Sequence, residues 1–105
     1  THNEPWCVSH IGYIDGHKPP GLKNKWAKSL SAAHHLLLSH GMALPEIRNN
    51  VKDAQVGITL NLNTAIPASP SEYDKKACTF FDNMFNRLFL EPLYNRHTLQ
   101  NFLMN

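Results

Sequence analysis

At 105 residues the chain has room for one modest core, because a chain of this size removes only about two-thirds of its unfolded surface from water. Its 42% hydrophobic and 10% aromatic content excludes intrinsic disorder, and no apolar run approaches the roughly 18 residues of a membrane span. Ten Lys and Arg against eight Asp and Glu leave a dispersed net charge of +2, which argues against nucleic acid or a membrane surface as partner.

The segment Thr1 to Asn24 reads as a loop, punctuated by Gly12, Gly16, Pro19, Pro20 and Gly21. From about Lys25 the pattern turns helical, with Trp26, Leu30, Ala33, Leu37, Gly41 and Leu44 recurring at spacings of three and four. Leu36 and Leu38 widen this stripe, so the middle of the helix is expected to be buried nearly all round. Pro45 is expected to kink or end it. Between Gln55 and Asn63, Val56, Ile58, Leu60 and Leu62 alternate with small or polar residues, the period of a half-buried strand. A loop with Pro67 and Pro70 follows, and Ser71 reads as an N-cap with Glu72 and Asp74 near the positive helix end. Tyr73, Ala77, Phe80, Phe81, Met84, Phe85 and Leu88 trace one face of a second helix that Pro92 should end. Tyr94 to Asn105 has no clear period.

Helix, strand, loop and helix in that order are the alternation of a β/α protein with a parallel sheet. Yet this chain has a single full strand with no partner to satisfy its backbone groups. The pattern therefore predicts a slice of a larger β/α fold. The first residue, Thr1 rather than Met, fits a trimmed or excised piece.

The two cysteines, Cys7 and Cys78, cannot build a disulfide scaffold or a closed zinc site by themselves. Reduced thiols are expected; the sequence does not fix the compartment, and the cytoplasm is favoured. Among the seven histidines, His34, His35 and His40 share one helix, but adjacent residues point about 100° apart and His40 is not an i+4 partner of His35. They read as helix-packing residues, with no metal site implied. Lys18, Lys23, Lys25 and Lys28 read as a solvated helix start.

The strongest chemical candidate is Asn3-Glu4-Pro5 followed by Trp6. Glycosidic cleavage needs a carboxylic acid to protonate the leaving oxygen, and sugars stack on indole rings. A bare Asn-Glu-Pro is far more often a helix-start or turn glutamate before proline.

Its surroundings carry a resemblance. Thr1-His2-Asn3-Glu4-Pro5-Trp6-Cys7 resembles the T-x-N-E-P-W-C segment of glycoside hydrolase family 1, the β-glucosidase family. Gly12-Tyr13 and the run Gly16 to Gly21 are similar to its G-Y-x-x-G-x-H-A-P-G loop, with Lys18 in place of the usual His. Ala32 to Gly41 resembles its A-A-H-H-L-L-L-A-H-G helix, Gly57 to Leu62 its next strand, and Asn86 to Leu93 its N-R-W-F-L-D-P-L segment. The resemblance covers about residues 1–93 and fades where Asn95-Arg96-His97-Thr98 fails to reproduce G-x-Y-P.

That resemblance implies a partial eight-stranded β/α barrel, residues 1–105 supplying the end of strand four, helix four, strand five and helix five of a single catalytic domain. It implies Glu4 as general acid/base, Asn3 as hydrogen-bond partner of the sugar 2-hydroxyl, and Trp6 and Asn61 on the leaving-group side. A buried glutamate with its pKa raised towards ~6–7 can act as the acid. The family's nucleophilic T-E-N-G motif is absent from this sequence. The other acids, Asp15, Glu46, Asp53, Glu72, Asp74, Asp82 and Glu91, read as solvated surface. A retaining β-glycosidase without metal or organic cofactor is implied, acting on a β-glucoside or related oligosaccharide, with the remainder of the barrel as partner and the isolated chain inactive. The alternative is a non-catalytic relic, or a sugar-binding or assembly module derived from such a barrel.

Overall fold

The computed structural model describes residues 1–94, and the chain divides into two compact units, Thr1–Leu60 and Asn61–Asn105. The motif-poor stretch from Asn95 onward lies outside the described residues.

The first unit opens on an extended segment that meets the chain again at Thr59. Asn3 and Thr59 form an isolated parallel bridge: the Glu4 N–H donates to the Thr59 carbonyl at 2.8 Å, and the Thr59 N–H to the His2 carbonyl at 3.0 Å. The expected strand from Gln55 to Asn63 is not formed beyond this pairing, and the described residues contain no longer ladder. Alternation survives nonetheless. Val56, Ile58 and Leu60 are half-buried while Gln55, Gly57 and Thr59 are exposed. The side-chain period of a strand is present without the neighbours that would turn it into a sheet.

The loop expected over residues 1–24 is a helix in its middle. Pro5 and Trp6 begin a helical turn, where proline's missing N–H and fixed φ cost nothing. Cys7–Asp15 then continues as a π-helix and closes on Gly16 at φ 80°, whose N–H donates to the Ile11 carbonyl five residues back. Residues 16–22 fold back over this helix. The Leu22 N–H donates to the Gly12 carbonyl at 2.9 Å, and a Cβ at Gly12 would lie 2.5 Å from the Pro19 carbonyl oxygen, so only glycine permits the approach. The Pro19–Pro20 peptide is cis.

Helix α1, Trp26–Asn50, packs against the π-helix. The buried residues are small or polar: Ser9, His10 and Gly12 on one element, Ser29, Ala33 and His40 on the other. Helix α1 is not buried all round, since Leu38 and Met42 are exposed, as are His34 and His35. Nor does Pro45 end it. Proline removes one backbone bond to the preceding turn, and the helix resumes with Asn50 Nδ2 donating to the Glu46 carbonyl and the Val51 N–H to that of Ile47.

In the second unit Ser71 caps α2, Glu72–Asp82, by accepting from the Asp74 N–H at 3.1 Å. A π-helical stretch, Asn83–Arg87, joins α2 to α3, Leu88–Tyr94. Pro92 lies inside α3 and does not end it within the described residues, where it forfeits a single backbone bond. Leu88 and Phe89 are buried, whereas Tyr73, Phe80 and Phe81 on the expected apolar face are exposed. Across the described residues the buried apolar side chains are Pro5, Ala33, Leu88 and Phe89, a small core for two units.

Candidate active site

The bridge to Thr59 ends at Glu4, and there the backbone turns. Glu4 has φ 47°, the left-handed region that a residue with a Cβ enters at a cost of about 1–3 kcal/mol. The turn is fastened by the Cys7 N–H, which donates to the Glu4 carbonyl at 2.9 Å. Residue Asn3 is therefore still in the paired segment, while Glu4 stands at its C-terminal limit with the helix beginning behind it. The Cys7 thiol donates to Glu4 Oε2 at 3.4 Å. Glu4 is half-buried rather than buried, and Asn3 is exposed.

Trp6 stacks on His10, ring centroids 5.0 Å apart and 16° between planes, and His10 meets Trp26 edge-on at 6.4 Å. Burial pushes His10 down to about 4 against a weaker opposing pull from Asp15, so the imidazole between the indoles is neutral at pH 7. Its Nδ1 shares a hydrogen bond with Ser9 Oγ at 3.1 Å, and its Nε2 has no partner among the described residues. The Trp6 face turned to His10 is thus occupied by the protein itself. His2, in the paired segment, is tied to α1 through Ser39 Oγ at 2.8 Å.

Asn61, the fourth expected site residue, opens the second unit and is half-buried. Glu4, Asn3 and Trp6 are brought together in the first unit. Neither Cys7 nor Cys78 is in a disulfide among the described residues.

The family profile described as glycosyl hydrolase family 1 matches residues 1–102. The chain belongs to glycosyl hydrolase family 1. It is 40% identical over 103 residues to β-glucosidase A of Acetivibrio thermocellus, covering 98% of this chain and 23% of that protein. A β-glucosidase of Agrobacterium sp. is 37% identical over 94 residues, covering 90% of this chain and 20% of its own length. Among solved structures, the psychrophilic β-glucosidase BglU from Micrococcus antarcticus superposes with a TM-score of 0.89 at 36% identity, over 99% of this chain and 22% of that one. A β-glucosidase from Exiguobacterium marinum gives 0.88 at 35% identity, over 99% and 24%. The chain thus spans about a quarter of the length of these family members, and its structural neighbours are β/α barrels.

Three acids assigned to solvated surface are half-buried and hydrogen-bonded instead. Asp74 accepts from Ser69 Oγ. Asp82 accepts from Asn86 Nδ2 at 2.7 Å and Arg87 Nε at 2.8 Å, and these two donors, Asn86 first, hold its carboxyl below the usual range. Arg87 also reaches Glu91 at 3.2 Å. The spacing of four residues between Asp82 and Asn86, and between Arg87 and Glu91, was the available sequence signal. Asp15, Glu46, Asp53 and Glu72 are exposed as expected, and so are the four lysines from Lys18 to Lys28.

Proposed function

We propose that residues 1–105 form one part of the single catalytic barrel of a retaining β-glycosidase acting on β-glucosides or related oligosaccharides, and that Glu4 is its general acid/base. The observation that carries this reading is the placement of Glu4. It follows Asn3 at the C-terminal end of a parallel pairing, in a left-handed backbone conformation, the end of the strand at which β/α barrels keep their chemistry.

In the first half-reaction the Glu4 carboxyl gives its proton to the glycosidic oxygen as the bond to the anomeric carbon breaks. A nucleophilic carboxylate from outside this chain, about 5–5.5 Å away in a retaining site, forms the new bond to that carbon. In the second, the Glu4 carboxylate takes a proton from the water that releases the sugar. Asn3 holds the 2-hydroxyl, where contacts strengthen as oxocarbenium character develops. Trp6 and Asn61 line the leaving-group side. No metal or organic cofactor takes part, and the setting is the cytoplasm. With only one carboxylate of the pair, the isolated chain does not turn over.

The test is a graft: this chain replaces the matching segment of the A. thermocellus β-glucosidase, and hydrolysis of an aryl β-glucoside is measured. The expected result is an active barrel in which Glu4→Gln lowers kcat/KM by about 10²–10⁴-fold. Added azide should restore turnover of the variant and yield a β-glucosyl azide, because azide attacks the glycosyl-enzyme without needing a base. A folded, inactive graft would favour the non-catalytic module.

A further inference from the structure

Cys7 is the only side chain among the described residues that hydrogen-bonds the Glu4 carboxyl, and it does so at one oxygen. The geometry is built into the turn. The Cys7 N–H donates to the Glu4 carbonyl at 2.9 Å, so main chain and side chain of residue 7 close on main chain and side chain of residue 4. Glu4 Oε2 accepts the thiol proton at 3.4 Å, and Oε1 makes no hydrogen bond within the described residues. An oxygen that accepts a hydrogen bond is the poorer place for a second proton.

We propose that Cys7 is a positioning residue for Glu4: its thiol pins Oε2 as an acceptor throughout the reaction, leaving Oε1 as the oxygen that gives and takes the proton. The proposal deepens, and rests on, the assignment of Glu4 as acid/base. When Glu4 is protonated the proton sits on Oε1, directed away from Cys7. When Glu4 is ionised the thiol still donates to Oε2, and the carboxylate does not rotate between the two half-reactions. The thiol's own proton stays on sulfur. Burial, the hydrogen bond to Glu4 and the Glu4 charge together raise Cys7 above the ordinary thiol range, in that order, against a smaller opposing effect of Lys18. Lys18, from the loop that folds over the π-helix, and Glu4 both act on this thiol by charge.

The experiment has two arms on the grafted barrel. The first reads the contact without turnover: alkylation of Cys7 by iodoacetamide at pH 8, followed on the Cys7 peptide by mass spectrometry. Glu4→Gln removes the carboxylate whose hydrogen bond and charge add to burial in keeping the thiol protonated, so alkylation should accelerate by at least about threefold. The second reads function through the pH dependence of kcat/KM. Cys7→Ala should move its basic limb to higher pH by about half a unit, and Cys7→Ser, which keeps a donor, should restore it. An unchanged alkylation rate in folded Glu4→Gln overturns the pairing. Faster alkylation with identical pH profiles for Cys7→Ala and the parent overturns the positioning role. Full activity in Glu4→Gln would instead sink the acid/base assignment, while the alkylation arm still reports on the contact.

Discussion

The carboxamide of Asn86 holds the main chain of Asn63 with both ends: the Asn63 N–H donates to Oδ1 at 2.9 Å, and Nδ2 donates to the Asn63 carbonyl at 2.7 Å. The same Nδ2 reaches Asp82 at 2.7 Å, so one buried amide satisfies two backbone groups and a carboxylate. An extended segment without sheet neighbours is fixed here by a side chain instead.

Asn86→Ala should therefore destabilise the grafted barrel by about 2–3 kcal/mol, because it strands the Asn63 backbone groups together with the Asp82 oxygen. Asn86→Asp should be at least as damaging, since it replaces the donor with a second negative charge beside Asp82. Urea unfolding monitored by tryptophan fluorescence checks both; a midpoint unmoved by Asn86→Ala would refute the clamp.

The neutral imidazole of His10 makes stability depend on pH. Its folded-state value of about 4 lies below the 6.5 of an exposed histidine, so the unfolded chain binds the extra proton first. The stabilisation is complete above about pH 6.5 and is lost as pH falls towards 4, at a cost on the order of 3 kcal/mol. His10→Phe keeps a ring against Trp6 without the titration. Its melting temperature should drop less between pH 7 and pH 4 than that of the parent graft. Parallel curves would show that His10 does not contribute.

The isolated chain should be inactive and loosely packed. Its described buried apolar side chains are Pro5, Ala33, Leu88 and Phe89, while Met42, Tyr73 and Phe80 are exposed. Such a core falls short of the entropy cost of ordering a chain this long. Thermal unfolding without a cooperative transition and binding of a hydrophobic dye are expected, together with no hydrolysis of an aryl β-glucoside. A sharp melt from a monomer would contradict the first expectation, and turnover abolished by Glu4→Gln the last.

The long helix, the Ser71 cap and the alternation of Val56, Ile58 and Leu60 were legible in the sequence because each depends on local periodicity or on one side chain reaching its own backbone. The helix after Glu4 was not. Gly12 and Gly16 announce a turn, and the buried face of Cys7–Asp15 is Ser9, His10 and Gly12, which carries no apolar stripe. Pro45 and Pro92 misled in the other direction, since each removes one hydrogen bond from a helix that holds on either side of it. Asn3, Glu4 and Trp6 could be singled out by their order along the chain. The left-handed turn at Glu4 and the thiol on its carboxyl arise from main-chain geometry that residue types do not announce.

The winding of Cys7–Asp15 sets a requirement on chain length. Each of its turns spans one residue more than an α-helical turn, and Gly16 closes on Ile11 rather than on Gly12. Removing a single residue between Val8 and Ile14 would let the segment tighten into an α-helix. That would remove the five-residue closure of Gly16 on Ile11, from which the loop bearing Lys18, now acting on the Cys7 thiol, sets out. The residue count from Glu4 to Gly16 is in this sense part of the site's specification, as much as the side chains it contains.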